Sequence, residues 1–326
     1  MSEKTASQNR FKSLSFWFKS VLVILIGWLI YQFFQQGRVE IPQLLNRLQN
    51  ANKMWLSIGV LLSFVFVFLQ GEMYVWALRC VGENVSRRVA ILLYLKRNFV
   101  SVFLPVGSIS SLAAFSQDVE NQGITKLKMS AASAIYLVAG IVTLWVVAIP
   151  ILIFTAQSQH IDGVAYVSLL VLTLLLIAVF FLVLNLKNKG KTQELLTKYA
   201  PNLASQIHQL LATPMNRKAL IMVNVASLGL EIVGILLLFV SIYAIGLDID
   251  WLTPCLAYTI ATLILYVAPV ARGVGAVELS LIYVLTQNGI DANSALTVTL
   301  LSRFFGFWWP LLLGGFSFLP KMYRRL

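Results

Sequence analysis

The sequence predicts an all-α polytopic membrane protein, with six full spans plus two helical hairpins broken at Pro and Gly in an inverted-repeat architecture; eight full spans is the competing count. Three observations carry that expectation. Of 326 residues, 59% are hydrophobic and only 12% are charged, whereas a soluble domain carries about 25% charged residues. A mean hydropathy of +0.81 points the same way and excludes a soluble globular class. The apolar residues also gather into runs near the ~20 residues that a ~30 Å hydrocarbon core demands. Two further runs break at Pro and Gly in corresponding places of the two halves.

The first run, Val21–Phe34, follows Lys4, Arg10, Lys12 and Lys19. It ends in Tyr31, Gln32 and two phenylalanines with no small-residue cleavage site, so it reads as an uncleaved span and not as a signal peptide. In 37–54, Ile41, Leu44, Leu45 and Leu48 recur at helical spacing, as in an interfacial helix. Trp55–Leu78 is the second span. Ile91–Leu104 is interrupted by Lys96 and Arg97 and breaks at Pro105-Val106-Gly107, after which Ser108–Phe115 returns towards Lys126 and Lys128. At 1.5 Å per residue, 89–104 reach only ~24 Å. Met129–Phe154 and Gly163–Leu186 are plain spans. The loop 187–218 alternates lysines with leucines and reads as a basic amphipathic helix on an anionic leaflet. Ala219–Gly246 is a span. Leu252–Ala268 breaks from Pro269 through Gly273 and Gly275 and returns as Ala276–Gln287; Ala295–Leu319 closes the chain.

Charge sets the expected orientation. The chain has 25 Lys and Arg against 13 Asp and Glu, net +12. On a soluble protein that excess suggests nucleic acid; here it reads as basic cytoplasmic loops, with no nucleic-acid partner. The 187–218 loop and the C-terminal tail are basic, while 155–162 and 247–250 hold only acids. The positive-inside rule therefore puts both termini in the cytoplasm of a cell (inner) membrane protein. Arg38, Arg47 and Lys53 lie on the side expected outside and oppose that bias.

The chain forms one membrane domain, 1–326, whose halves, 20–155 and 163–319, each read as two spans, a hairpin and a span. Three crossings per half turn the second half upside down. The Pro105 hairpin then enters from the cytoplasm and the Pro269 hairpin from outside. Irregular backbone is not tolerated in lipid, so such turns are buried in protein or line a polar cavity. This is the layout of inverted-repeat transporters, whose sites lie where broken helices converge.

Phe103-Leu-Pro-Val-Gly-Ser-Ile-Ser-Ser111 and Ala268-Pro-Val-Ala-Arg-Gly-Val-Gly-Ala-Val-Glu278 resemble the paired motifs of one family, as do Gly289-Ile-Asp291 and Leu301-Ser-Arg-Phe304 followed by Trp308-Trp-Pro310. That family is the lysylphosphatidylglycerol synthase transmembrane (flippase-like) family, and the resemblance runs from about Val21 to Leu319. It implies a membrane module that moves lipids or lipid-linked molecules. The chain ends at Leu326, so the resemblance implies the membrane part without the aminoacyl-transfer domain. The family's second turn is usually Pro-Gly-Gly; here Arg272 stands inside it.

Ionisable groups inside a membrane need a reason. Glu72, Lys96, Arg97, Glu231, Arg272, Glu278 and Arg303 are the candidates. Arg272, flanked by Gly273 and Gly275 at the start of a helix, suits a phosphate. Glu278 and Arg303 either pair or serve the site. Lys96 and Arg97 either reach a headgroup or snorkel to the surface. Ser108 and Ser110, beside Gly107, either donate to a headgroup or satisfy turn backbone. Two histidines and two distant cysteines leave no metal or thiol chemistry in prospect. No cofactor is expected, and no GxxxxGK[ST] motif supplies ATP. The expected function is that of a non-enzymatic, flippase-like protein for a phospholipid or lipid-linked substrate. The rival is a membrane partner that presents a lipid to a separately encoded lipid-modifying enzyme. Oligomeric state is not legible in the sequence.

Overall fold

The computed structural model describes residues 46–103, 122–158, 170, 173, 174, 177, 215–267, 273 and 275–317. These are helical throughout apart from short turns. The helices are α1 (Lys53–Cys80), α2 (Arg87–Phe103), α3 (Lys126–Ser158), α4 (Arg217–Ala244), α5 (Leu252–Val267), α6 (Ala276–Gln287), α7 (Ala292–Arg303) and α8 (Trp309–Phe316), with a π-helical turn, Phe304–Trp308, joining the last two. Four stretches are long and apolar enough to cross a membrane: Lys53–Cys80, Lys126–Thr155, Arg217–Ala244 and Ala292–Phe316. They coincide with four expected spans. Val21–Phe34 and most of Gly163–Leu186 lie outside the described residues.

α1 and α4 are built to one plan. Each runs 28 residues from an asparagine whose side-chain oxygen accepts a first-turn N–H: Asn52 from Met54 (2.9 Å) and Asn216 from Ala219 (3.2 Å). Each ends at a left-handed glycine, Gly82 (φ +78°) and Gly246 (φ +77°). Beyond it, Glu83 N–H reaches Leu78 O (3.0 Å) and Leu247 N–H reaches Ile242 O (3.3 Å), which satisfies the last carbonyls. The two helices pack antiparallel. Trp55 stacks on Tyr243 with centroids 5.1 Å apart, Asn52 N–H donates to Ala244 O (2.7 Å), and Leu69 meets Gly229 at mid-length. Outward faces such as Leu61, Phe64, Ile221 and Val225 stay exposed, as lipid-facing side chains do.

This pairing defines two ends of the bundle. The C-terminus of α1, the starts of α2 and α3 and the start of α4 gather Arg79, Arg87, Arg88, Lys126, Lys128, Arg217 and Lys218 at a basic end, where Lys128 pairs with Glu83. The opposite end carries Asp248, Asp250 and Asp291, with Lys53 and with Arg47 hydrogen-bonded to Ser294. α2 starts at the basic end and α5 at the acidic one. α6 returns to the acidic end, where Asp291 caps α7. At 1.5 Å per residue the described part of α5 is about 24 Å long and α6 about 18 Å. Both turns expected beyond α2 and α5, with Pro105, Gly107, Ser108, Ser110, Pro269 and Arg272, lie outside the described residues.

Candidate functional site

α2 and α5, entering from opposite ends, converge on one cavity of ≈ 180 Å³. That is more than tenfold the ~10–15 Å³ that a single water requires. Residues from both halves line it: Gln70 of α1, Tyr94 and Asn98 of α2, Tyr258 and Thr262 of α5, and Arg303 at the end of α7. Leu237, Leu238, Val277, Leu281 and Phe307 make its apolar walls.

The polar groups of the wall differ in how they are satisfied. Gln70 accepts a hydrogen bond from Tyr136 of α3. Asn98 is 1% exposed, and among the described residues its amide Nδ2 has no hydrogen-bond partner. A buried donor left in that state is costly, and an acceptor in the cavity would satisfy it. Arg303 donates from Nε to Glu278 Oε1 (2.7 Å), and its guanidinium lies 4.4 Å from the Phe307 ring centre. Glu278 Oε2 accepts Gly275 N–H (2.7 Å), so this one carboxylate caps α6 and ties it to the last span. Gly275 (φ +88°) and Gly273 (φ +62°) hold left-handed conformations that a side chain would strain. At 273 a Cβ would also press on Val277 and Leu265.

The remaining membrane charges divide sharply. Glu72, 8% exposed, accepts from Trp76 Nε1 (3.1 Å) and pairs with Arg87 near the basic end. Arg97 donates to Tyr74 Oη (2.5 Å) and Ser133 Oγ (3.1 Å), and Lys96 is 7% exposed. Lys96 is thus buried, and Arg97, partly exposed, spends its guanidinium on two hydroxyls within the bundle. Both lie well along α2, where the hydroxyls that Arg97 meets come from α1 and α3. Glu231 is 5% exposed, and Tyr258 Oη donates to its Oε2 (3.0 Å). Gly234 makes that contact possible, since any Cβ there would strike the Tyr258 ring.

Of the residues singled out from sequence, the structure brings Arg303 and Glu278 together beside the cavity, and seats Glu231 behind Tyr258. It places Glu72 at the rim and turns Arg97 towards α3. Sequence reasoning missed Gln70, Tyr94, Asn98 and Tyr258. A signal for them was present. Asn52 and Asn216, Gly82 and Gly246, Tyr94 and Tyr258, and Pro105 and Pro269 recur at one constant interval, which also pairs Asn98 with Thr262 and Gln70 with Gly234. Every member of the last two pairs lines the cavity, as do both tyrosines.

Residues 16–314 match the family described as the lysylphosphatidylglycerol synthase TM region. No curated protein matches the chain in sequence.

Proposed function

The chain belongs to the family of the lysylphosphatidylglycerol synthase TM region, and from that premise we propose that this multi-pass membrane protein translocates or binds an anionic lipid or lipid-linked intermediate. The observation that carries the reading is the central cavity. Helices from opposite ends of the bundle lead to it, and its wall holds a buried Asn98 amide nitrogen with no partner among the described residues. A phosphate offers the acceptor oxygens that such a donor lacks.

In this reading α2 and α5 are the entering arms of two re-entrant hairpins, and the two halves form an inverted repeat. The antiparallel pairing of α1 with α4, the shared caps and the constant interval between matched residues support it. The basic end faces the cytoplasm of the inner membrane, with both termini there, as the positive-inside rule favours. Arg272, which follows α5 in sequence, supplies the charge for the headgroup, with Ser108 and Ser110 as hydroxyl donors; acyl chains remain in lipid. Lys96 and Arg97 stand one turn or less from Asn98 on the same helix and add positive potential to that approach. No chemistry on the lipid is assigned to this chain.

Reconstitution with leaflet-specific lipid probes tests the proposal. Wild type should move the anionic probe. Arg272→Ala and Asn98→Leu should each slow it at least about tenfold, the size of one lost hydrogen bond to a charged group. A wild type indistinguishable from empty liposomes overturns translocation. Binding without movement, together with a second protein recovered in stoichiometric amount, points instead to a module presenting lipid to a separately encoded enzyme.

A further inference from the structure

The three acids seated within the described membrane helices keep different company. Glu72 has Arg87 and Trp76. Glu278 has Arg303 and the Gly275 N–H. Glu231 has the Tyr258 hydroxyl and, among the described residues, no cation at all. It is nonetheless the most buried of the three.

The surroundings of Glu231 explain why no countercharge reaches it. α4 packs against α1, α3, α5 and α7 with its π turn. α1 sets Leu62, Phe66 and Leu69 beside Val233 and Leu237, all apolar. From α3, Thr143 bonds Ser227, one turn before Glu231 (2.7 Å). From α5 come two titratable groups, Tyr258 and, two turns on, Tyr266. The cation of α7, Arg303, is engaged by Glu278. A carboxylate at this depth without a countercharge is costly, and taking up a proton removes that cost. Tyr258 is also the group that connects Glu231 to the cavity, because Tyr258 lines it and Glu231 does not.

We propose that Glu231 is a proton-binding site of the transport cavity, loaded and unloaded through the Tyr258 hydroxyl in step with the cavity's anionic occupant. On loading, Tyr258 gives its hydroxyl proton to the Glu231 carboxylate and takes one onto its phenolic oxygen from a hydronium ion in the cavity, which leaves as water. The phenol ends neutral, the carboxylate becomes a carboxylic acid, and the site gains one positive charge. Unloading reverses each transfer. An anion arriving in the cavity favours the loaded form, and by linkage the loaded form favours the anion, so proton and anion travel together. The proton site stands on its own geometry; only its coupling to an anionic lipid rests on the transport reading above.

Infrared spectroscopy of the full chain in phosphatidylcholine vesicles, scanned over pH, tests this without any transport measurement. Wild type should show the carbonyl band of a protonated, buried carboxyl that fades as pH rises. Glu231→Gln should lose that band, whereas Glu72→Gln and Glu278→Gln should keep it. Tyr258→Phe, which leaves the acid in place, should move the band to higher frequency through the lost hydrogen bond and shift the pH at which it fades. A band that persists in Glu231→Gln, one that is missing from wild type, or one that ignores pH overturns the proton site. Repeating the scan in vesicles that contain phosphatidylglycerol should move the fading to higher pH. A band that titrates but ignores phosphatidylglycerol overturns the anionic-lipid coupling and leaves the proton site standing.

Discussion

α1 and α4 share a length, an asparagine cap, a left-handed glycine stop and an antiparallel seam, yet the acid that each carries is treated in opposite ways. Glu72 lies near the basic end of α1, where Arg87, itself largely solvent-exposed, neutralises it. Glu231 lies midway along α4 with a phenol for company. The helices that follow repeat the contrast: α2 brings Tyr94 and a bare Asn98 amide to the cavity, while α5 brings Tyr258, turned to an acid, and Thr262. The frame is duplicated and its chemistry is not. Caps and stops serve the backbone, which needs the same satisfaction in both copies, whereas the side chains at the centre meet a single shared cavity.

The comparison breaks most visibly where a buried pair loses a member. Glu278→Ala leaves Arg303 buried without its carboxylate and uncaps α6, and should cost about 3–5 kcal/mol. Arg87→Ala at the exposed rim of the first half should cost about 1 kcal/mol or less. Thermal unfolding in detergent reads both, and the double change Glu278→Leu with Arg303→Leu should recover most of the loss. Equal destabilisation by Glu278→Ala and Arg87→Ala would erase the distinction between rim and centre.

Next in size is the pair Gly234 and Gln70. Gly234→Leu drives a side chain into the Tyr258 ring and should cost about 1–3 kcal/mol as an overpacked site. Gln70→Leu, at the matching place in α1, removes only the acceptor for Tyr136 and should cost about 1 kcal/mol. Guanidinium unfolding of the two variants side by side measures the asymmetry.

The caps should behave as true equivalents. Asn52→Ala and Asn216→Ala should each lower stability by about 1 kcal/mol. A result that differs between them by more than that amount would mean that one copy depends on contacts beyond its first turn, such as the Asn52 N–H bond to Ala244.

The smallest effect lies at the acidic end. Burial pushes the Asp291 carboxyl up, but the Ser294 hydroxyl and N–H, Arg47 and the Asn293 N–H outweigh it and hold the group below its ordinary range. A lowered value in the folded protein stabilises above the ordinary carboxylate value of ~3.9 and is lost as pH falls through the folded one. Asp291→Asn should therefore flatten the acid limb of an unfolding-temperature profile; an unchanged limb would mean that the Ser294 and Arg47 contacts add nothing to stability.

Much of this protein was legible in its residues. Trp55–Leu78, Met129–Phe154, Ala219–Gly246 and Ala295–Leu319 emerge as spans within a few residues of their helices, because apolar length is a local property that the bilayer reads directly. The Glu278–Arg303 pairing was anticipated for a related reason, since few charges are available to one another in hydrocarbon. The fate of Lys96 and Arg97 was not, because a long cationic side chain chooses between the surface and neighbouring hydroxyls, and those neighbours come from α1 and α3. Asn98 escaped notice since an amide in an apolar run looks like any helix polar residue until its surroundings are known.

Sequence alone determined the solvent and the four spans seen in the structure, which follow from hydropathy, a local property of the chain. Tertiary structure alone decided which buried polar groups find partners. Glu72, Glu231 and Asn98 are each a polar side chain buried on a helix of the bundle, and they differ through what packing sets opposite them: a guanidinium, a phenol and an open cavity.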